Sequence, residues 1–361
     1  MVNYFIFTIF IIFFTFLEQF SKRVKNGLLL SFFLIFIAIA IRYDYGYDYL
    51  MYAREFNIIN SVDPKLWPFG MTRLEEGWIY LNKLFGFFGF NYLIIFLSFV
   101  YCLVFYFFIK NTLDKKLYGL SVLFFLLAPG IFILHQSLLR QTFALSLYLI
   151  AIMLVEKKAG LIWSVLILFA ASFFHFSALL LIPVLFTKYL NFTKKHVYFI
   201  GCFYIVLFFI GYSTSLITTI FETINYIFPK YSYYLDPARN NKIKLNSGWG
   251  IAFSSANFFL SLYLKEQFLQ KDSTKIIYFS VVIFYLITPL SLILGHFQRI
   301  NLYFEVFMII IIPMVYSFIH HKKLKYIYLG LNIIFSVYSL TSFFRNDTNE
   351  QKFNTYKTIF K

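Results

Sequence analysis

The chain has 361 residues, of which 60% are hydrophobic, 24% aromatic and only 13% charged. This balance excludes an ordinary soluble domain and indicates a protein that crosses a membrane several times. A net charge of +16 would suggest nucleic-acid binding in a soluble chain, but here Lys and Arg are expected to anchor loops beside anionic lipid. The composition therefore predicts membrane lipid as a partner and no nucleic acid.

Apolar segments follow one another along the chain and predict about 11–12 transmembrane helices. The first segment has no basic flank and no small-residue cleavage site, so we expect it to remain as an anchor. The predicted spans are 4–16, 27–41, 91–109, 117–134, 141–155, 161–174, 177–186, 197–220, 249–264, 276–294, 302–319 and 326–340. No linker marks a second domain. The sequence thus predicts an all-α polytopic helical bundle that forms one transmembrane domain over residues 1–361.

Lys and Arg fall mostly into every second connection between these spans, and this alternation fixes a predicted orientation. The basic connections, which we expect in the cytoplasm, are 21–26, 110–116, 156–158, 188–196, 265–275 and 320–325. The other connections then face outward, with long outer loops near 42–90 and 222–248. Charged and polar groups at the outer ends of spans are rare because placing them near the membrane interior costs free energy. We therefore treat these residues as candidates for a functional site.

The segment 161–186 admits either one long helix or two short helices that form a hairpin. A hairpin keeps Lys188, Lys194 and Lys195 in the cytoplasm, so it is the favoured interpretation. His175 then lies at the outer turn, where a neutral imidazole could accept a proton. A lone histidine on an apolar face is more often a structural group, and both interpretations stay open. The short apolar segment 76–91 is predicted to be interfacial or re-entrant.

Two arginines, Arg140 and Arg299, lie at the predicted outer ends of membrane spans. A guanidinium group makes bidentate contacts with phosphate and keeps its proton, so two such groups could hold a pyrophosphate. The alternative is that each side chain extends to the lipid head groups at a helix end. Neither arginine obeys the cytoplasmic bias, which favours ligand contact.

The outer loop after the second span places Arg42, Asp48 and Tyr52 among several tyrosines. Aromatic faces beside hydrogen-bonding carboxylates suit sugar rings, although an aromatic belt at the membrane interface explains the tyrosines equally well. Glu75, further along this loop, is a candidate general base or part of a solvated acidic loop. The loop that contains Arg239 is basic and aromatic, so it is either a lid over an anionic glycan lipid or an exposed loop.

Several soluble chemistries have no signature in the chain. We find no phosphate-binding glycine loop, no paired-histidine zinc helix and no Gly-x-Ser-x-Gly elbow. Cys102 and Cys202 both lie in apolar spans, so no disulfide framework and no cysteine-based zinc site is expected. The sequence predicts neither a metal nor a cofactor.

Five short motifs in the expected order resemble the EpsG-type branch of bacterial Wzy polysaccharide polymerases. They are Arg42 with Gly46-Tyr-Asp48 and Tyr52, the Glu75-Glu-Gly77 step, Arg140-Gln141-x-x-Ala144, Phe174-His175-x-Ser177-Ala178 with Pro183, and Arg299 with Tyr303-Phe304. Asp44-Tyr45 ahead of Gly46 departs from the pattern. The motifs run from about residue 42 to 305, and together they are more specific than any one of them.

The resemblance implies a GT-C-like, multi-pass enzyme of the bacterial inner membrane that acts at the periplasmic face on O-antigen, capsule or exopolysaccharide. Donor and acceptor would both be oligosaccharides linked to undecaprenyl pyrophosphate, and a chain-length regulator is an open further partner. Arg140 and Arg299 would bind pyrophosphate with Arg42 in support, and His175 or Asp48 would activate the acceptor, with Glu75 in reserve. Gln141, Tyr52, Tyr303 and Arg239 would complete the substrate-binding set.

Two other functions compete with a polymerase. A flippase for the lipid-linked repeat would use the same cations without chemistry, but it should carry polar residues at the membrane midplane and repeat symmetry. A membrane sugar O-acyltransferase would also use His and Arg, but it should gather polar residues on the cytoplasmic side. The polar residues here gather on the predicted outer side, which favours a polymerase.

Overall fold

The computed structural model describes residues 2–21, 25–68, 71, 74–212, 219, 222–223, 226, 249–291, 295–353 and 355–360. Among these residues the only strands are two of two residues each, β1 (Arg42–Tyr43) and β2 (Lys357–Thr358). The remaining regular structure is helical. The predicted all-α fold class is therefore confirmed.

The α-helices are as follows, in chain order. They are α1 (Val2–Phe20), α2 (Gly27–Ala40), α3 (Tyr49–Ser61), α4 (Glu76–Leu84), α5 (Phe90–Thr112), α6 (Tyr118–Leu127), α7 (Leu139–Leu154), α8 (Gly160–Ser172), α9 (Ile182–Leu185), α10 (Lys194–Tyr212), α11 (Trp249–Tyr263), α12 (Lys265–Phe268), α13 (Asp272–Ser291), α14 (Gly295–Glu305), α15 (Met308–Phe318), α16 (Lys322–Arg345) and α17 (Asp347–Phe353). Short 3₁₀ helices connect several of them, among them Leu134–Gln136 and Phe176–Leu181.

Four described helices are long and apolar enough to cross a membrane, and a fifth span results if α14 and α15 form one broken helix. The four are Asn3–Phe20, Phe90–Thr112, Asp272–Ser291 and Lys322–Arg345. Four shorter apolar helices accompany them: Gly27–Ala40, Leu139–Leu154, Gly160–Ser172 and Phe176–Tyr189. The polytopic membrane fold is confirmed, whereas the count of 11–12 spans and the GT-C likeness stay predictions.

One predicted span ends early. The sequence predicts a helix over 117–134, but α6 ends at Leu127 and the backbone of Ala128 is extended, with ψ of 108°. Pro129 follows, and a proline disfavours the helical conformation of the residue before it. A turn and the 3₁₀ helix Leu134–Gln136 then lead into α7.

The described chain divides into two compact units, Met1–Phe186 with Met308–Lys361, and Thr187–Phe307. In the first unit, the predicted cytoplasmic loops 21–26 and 110–116 meet at one end. Glu18, near the end of α1, accepts a hydrogen bond from the Leu28 N–H at 2.7 Å and lies 3.5 Å from the Lys115 ammonium. The prediction that these two loops face the same side is confirmed within this unit.

The predicted outer residues of the first unit gather at the opposite end. The Tyr4 hydroxyl, at the start of α1, donates to the Leu126 carbonyl at 2.6 Å, and Arg42, after α2, donates to the Gln136 carbonyl at 3.3 Å. The favoured hairpin is also present, because the chain turns between α8 and the 3₁₀ helix Phe176–Leu181, and the two arms pack together. His175 lies at this turn.

The C-terminal segment returns to the same end and pairs with the chain after α2. Strand β1 is antiparallel to β2, with Arg42 opposite Thr358. The Gly46 N–H donates to the Lys352 carbonyl at 3.1 Å. Gly46 has φ of +106°, and a Cβ there would lie 2.1 Å from the Ser137 hydroxyl oxygen, so only glycine fits. No sequence pattern predicted this pairing.

The second unit contains α10–α14 and brings together two further predicted cytoplasmic loops. The Lys265 ammonium donates to the Phe192 carbonyl at 2.9 Å, and Lys188 lies 3.4 Å from the Asp272 carboxylate. The loops 188–196 and 265–275 therefore share one end of this unit. The prediction of a single domain over residues 1–361 stays a prediction.

Candidate active site

Glu75 is the centre of a polar cluster at the outer end of the first unit. One carboxylate oxygen, Oε2, accepts a hydrogen bond from Nη1 of Arg140 at 2.6 Å. The other, Oε1, lies 3.6 Å from Nδ1 of His175 and accepts from the Phe176 N–H at 3.3 Å. The side chains of Glu75, Arg140 and His175 are 18%, 22% and 26% exposed. A partly buried carboxylate thus joins a guanidinium group to an imidazole.

Three different elements supply these side chains. Glu75 is the N-cap residue of α4, Arg140 is the second residue of α7, and His175 precedes the 3₁₀ helix of the hairpin. Gly77 allows α4 to approach that hairpin, because a Cβ on it would lie 2.7 Å from the Phe173 carbonyl oxygen. The small residue in the Glu-Glu-Gly step therefore permits the contact between Glu75 and the turn.

Aromatic side chains form the wall behind Arg140. Its guanidinium carbon lies 6.0 Å from the centre of the Tyr52 ring, and that ring packs edge to face on Trp78 at 5.5 Å. Tyr52 is 4% exposed and Trp78 is fully buried. Cations are attracted to such ring faces most strongly where water is excluded. The wall therefore helps to fix the direction in which Arg140 points.

The electrostatics keep Glu75 ionised. Burial alone would raise the pKa of this carboxyl group, but the close approach of the His175 ring and the charge of Arg140 outweigh it and lower the pKa to about 2. A carboxylate with so low a pKa is a poor proton acceptor at neutral pH. Glu75 is therefore better suited to orienting His175 than to acting as the base.

The guanidinium group of Arg140 retains hydrogen-bonding capacity. Among the residues that the structure describes, its Nε–H is buried and has no acceptor. A buried donor without an acceptor costs about 1–3 kcal/mol, and more where the group is charged. The Nε–H of Arg42 is in the same situation, so this donor alone does not indicate a ligand. The Arg140 side chain, however, is 22% exposed, and its accessible N–H donors can meet an anionic oxygen, which fits a phosphate-binding role.

Glu55 is a further acidic residue near the cluster that the sequence analysis missed. It is half-buried on α3, one turn beyond Tyr52. Burial raises its pKa, and the charge of Arg140 opposes that shift. The signal was present, because Asp48, Tyr52 and Glu55 recur at a spacing that places them on one helix face. Asp48 is half-buried and directly precedes α3, and its charge acts on both Tyr52 and Glu55.

Arg42 lies apart from this cluster in a buried, structural environment. It is 2% exposed, and its guanidinium group donates to the main-chain carbonyls of Ile39 and Gln136 and, at 3.1 Å, to the Ser98 hydroxyl. Burial lowers the pKa of Arg42 to about 10, so the group keeps its charge at neutral pH. Its role as a supporting cation for pyrophosphate stays a prediction. Gln141 is buried beside Arg140 in α7.

The remaining predicted site residues belong to the second part of the chain. Arg299 is exposed on α14, and Tyr303, one turn later, is buried. Both belong to the second compact unit, whereas Glu75, Arg140 and His175 belong to the first. Arg239, together with most of the predicted loop 222–248, lies outside the described residues. The predicted pairing of Arg140 with Arg299 stays a prediction.

The described residues contain no group of three or more His, Cys, Asp or Glu side chains that could hold a metal ion. In the cluster the Glu75 carboxylate instead pairs with the Arg140 guanidinium group and lies beside the His175 ring. The fold and the site together define a multi-pass, all-α membrane protein whose first unit carries a Glu-Arg-His cluster at the end away from the loops 21–26 and 110–116.

Comparison with known proteins assigns the chain to a family. The model of the EpsG family matches residues 25–358, which is nearly the whole sequence, so the protein belongs to the EpsG family. No curated protein and no solved structure matches the chain. The resemblance seen in the five motifs is thereby confirmed, and membership suggests a polysaccharide-polymerase-like role in a membrane.

Proposed function

We propose that this protein is a Wzy-type polysaccharide polymerase of the bacterial inner membrane. It transfers the growing glycan from undecaprenyl pyrophosphate to a terminal sugar hydroxyl of the next lipid-linked repeat unit, at the periplasmic face. The observation that carries this proposal is the cluster in which the Glu75 carboxylate contacts both Arg140 and His175. Family membership supports the same class of reaction.

In this reaction the acceptor hydroxyl oxygen forms a bond to the anomeric carbon of the donor glycan. The bond from that carbon to the pyrophosphate breaks, and undecaprenyl pyrophosphate leaves with the electron pair. The leaving group is already stabilised, so the protein has to position the reactants, bind the negative charge and remove one proton. The cluster offers a residue for each of the last two tasks.

Arg140 is assigned to the pyrophosphate. Its Nη1 is held by Glu75 and its guanidinium group by the face of Tyr52, while its buried Nε–H has no acceptor among the described residues. A cation fixed before the reaction stabilises developing charge without having to reorganise. The ion pair with Glu75 therefore orients the arginine without using all of its donors.

His175 is assigned as the base that accepts the proton of the acceptor hydroxyl. The Glu75 carboxylate lies 3.6 Å from Nδ1 and is placed to hold the ring in one orientation for this proton transfer. A carboxylate that orients a histidine in this way also stabilises the imidazolium ion formed by proton transfer. Asp48 stays the second candidate base.

The test is deletion of the gene, complemented with wild type, with Arg140→Ala or with His175→Ala, followed by a gel of surface and lipid-linked polysaccharide. The proposal predicts that the ladder of glycan lengths seen on the gel collapses to a single repeat unit in the deletion strain and in both variants. Arg54→Ala and His320→Ala are matched controls, because both side chains are exposed and lie outside the cluster. Both controls should restore the ladder.

Other outcomes would identify other functions. Lipid-linked units that accumulate inside the cell while all surface glycan is lost would indicate a flippase. A full-length ladder that lacks only a substituent would indicate an acyltransferase. A normal ladder in Arg140→Ala and His175→Ala cells would remove the cluster from the reaction.

A further inference from the structure

A cavity lies at the outer end of the first unit, separate from the Glu-Arg-His cluster. Its volume is about 440 Å³, which is within the range of about 300–1,000 Å³ that is usual for ligand pockets. The start of α1 and the end of α2 form part of its wall, together with the end of α16 and the C-terminal segment. The pairing of β1 with β2 holds that segment in place.

The wall of this cavity is aromatic and polar, and none of the described residues that line it is charged. The hydroxyls of Tyr4 and Tyr356 donate to the carbonyls of Leu126 and Ala38, so these groups are already paired. Asn3, Gln136 and Thr355 add amide and hydroxyl groups to the wall, of which the Gln136 amide nitrogen already donates to the Phe132 carbonyl at 3.4 Å. The wall therefore combines aromatic rings with uncharged hydrogen-bonding groups.

We propose that this cavity binds an uncharged sugar of the lipid-linked glycan. A sugar ring combines apolar C–H faces, which pack on aromatic rings, with hydroxyls that need amide and hydroxyl partners. A lipid chain forms no hydrogen bonds, so it would leave these polar groups without partners. The pyrophosphate, in turn, would find no cation among the described residues of this wall. This inference rests on the proposed polymerase function and adds a glycan subsite to it.

The subsite is linked to the cluster through a short stretch of chain. Gln136 lines the cavity and ends the 3₁₀ helix that precedes α7, and Arg140 stands only four positions later. Arg42 donates to the Gln136 carbonyl at 3.3 Å and so fixes this connection. A glycan in the cavity and a pyrophosphate at Arg140 would therefore be held at the same end of the same compact unit.

The first test fills the cavity. In Ala38→Phe the added ring occupies the space beside the C-terminal segment, whereas Ile37→Phe places the same ring on the preceding residue, which is 39% exposed. We expect Ala38→Phe to reduce high-molecular-weight polymer at least about fivefold, with Ile37→Phe near wild type at equal protein levels. A wild-type ladder in Ala38→Phe cells would overturn the inference.

The second test identifies the occupant without relying on activity. Thr355→p-benzoylphenylalanine places a photoreactive group at the cavity wall, and mass spectrometry of the irradiated protein identifies the adduct. We expect hexose-containing adducts when the photoreactive group replaces Thr355 and none when it replaces Ile37. The same adducts should form in an Arg140→Ala background. Adducts of phospholipid alone, or no glycan adduct, would overturn the subsite. A normal ladder in Arg140→Ala cells would instead contradict the proposed function.

Discussion

Arg42 and Arg140 lie at the same end of the first unit but have different surroundings. Arg42 is 2% exposed and donates to two main-chain carbonyls and a serine hydroxyl, so its hydrogen bonds hold protein to protein. Arg140 is 22% exposed on its side chain and is paired with the carboxylate of Glu75. An enclosed cation that donates to main-chain carbonyls stabilises a fold, whereas a partly exposed cation is accessible to a ligand.

The difference arises from the partners that each arginine meets. Arg42 follows α2 directly and is enclosed by α5, the turn before α7 and the C-terminal pairing. Arg140 begins α7 and points towards α3, α4 and the hairpin turn, which supply a carboxylate and an aromatic face. Substitution of the two arginines should therefore have different consequences.

The largest expected effect is loss of polymerisation in Arg140→Ala. Removal of one preorganised group that stabilises charge in a transition state typically lowers the rate by about 100- to 1,000-fold. The amount of folded protein should stay close to wild type. Polymer formation per molecule, measured against Arg54→Ala, tests this, and activity within threefold of the control would contradict the assignment.

Arg42→Ala should act on the fold. It leaves main-chain carbonyls and a buried hydroxyl without their donor, and each buried polar group left unsatisfied costs about 1–3 kcal/mol. We expect loss of folded protein in fluorescence-detected size exclusion, while Arg345→Ala, at an exposed position, remains normal. Wild-type abundance together with lost activity would place Arg42 in the substrate site instead.

Glu75→Gln should give an intermediate loss of activity, about 10- to 100-fold. The amide keeps the shape of the side chain but removes the charge that orients His175 and Arg140. Glu76→Gln is the matched control, because Glu76 is the exposed neighbour in sequence. Equal activities of the two variants would show that the Glu75 charge is not needed.

The low pKa of Glu75 also predicts a pH dependence of stability. Because the pKa in the folded protein, about 2, is below the ordinary value of 4.5, the stabilisation is present above about pH 4.5 and is lost as the pH falls towards 2. The difference in Tm between wild type and Glu75→Gln should therefore shrink as the pH falls below 4.5. A difference that is unchanged at pH 3 would contradict the ion pair.

The smallest effect is expected at Glu55. Burial raises its pKa, so the protonated form is favoured by the fold and this contribution is lost as the pH rises through the folded pKa. Glu55→Gln imitates the protonated form, and we expect Tm at pH 8 to rise by roughly 1–3 °C. A lower Tm at pH 8 would show that the ionised carboxylate is the stabilising form.

The sequence predicted which side chains share one end of the first unit, because charge alternation between spans is a strong signal. It could not predict that Glu75 would join Arg140 to His175. That contact depends on the approach of α4 to the hairpin, which Gly77 permits. The signals for Glu55, on the face of Asp48 and Tyr52, and for the early end of α6 at Pro129 were present and were not used.

The structural role of Arg42 and the C-terminal pairing had no local signal. Arg42 and Arg140 are the same residue type at the same predicted depth, so only their tertiary partners distinguish them. The strands β1 and β2 have two residues each, which is too short for any periodic pattern. The role of Arg42 and the pairing of β1 with β2 therefore depend on long-range packing, which composition and residue spacing do not reveal.

The most direct test of the account uses purified protein in proteoliposomes with isolated lipid-linked repeat units. Wild type and His320→Ala should convert these units into a ladder of polymer and release the lipid pyrophosphate. His175→Ala, with the same amount of folded protein, should leave the units unpolymerised. A ladder formed by His175→Ala at the wild-type rate would contradict the central claim that the Glu-Arg-His cluster carries out the transfer.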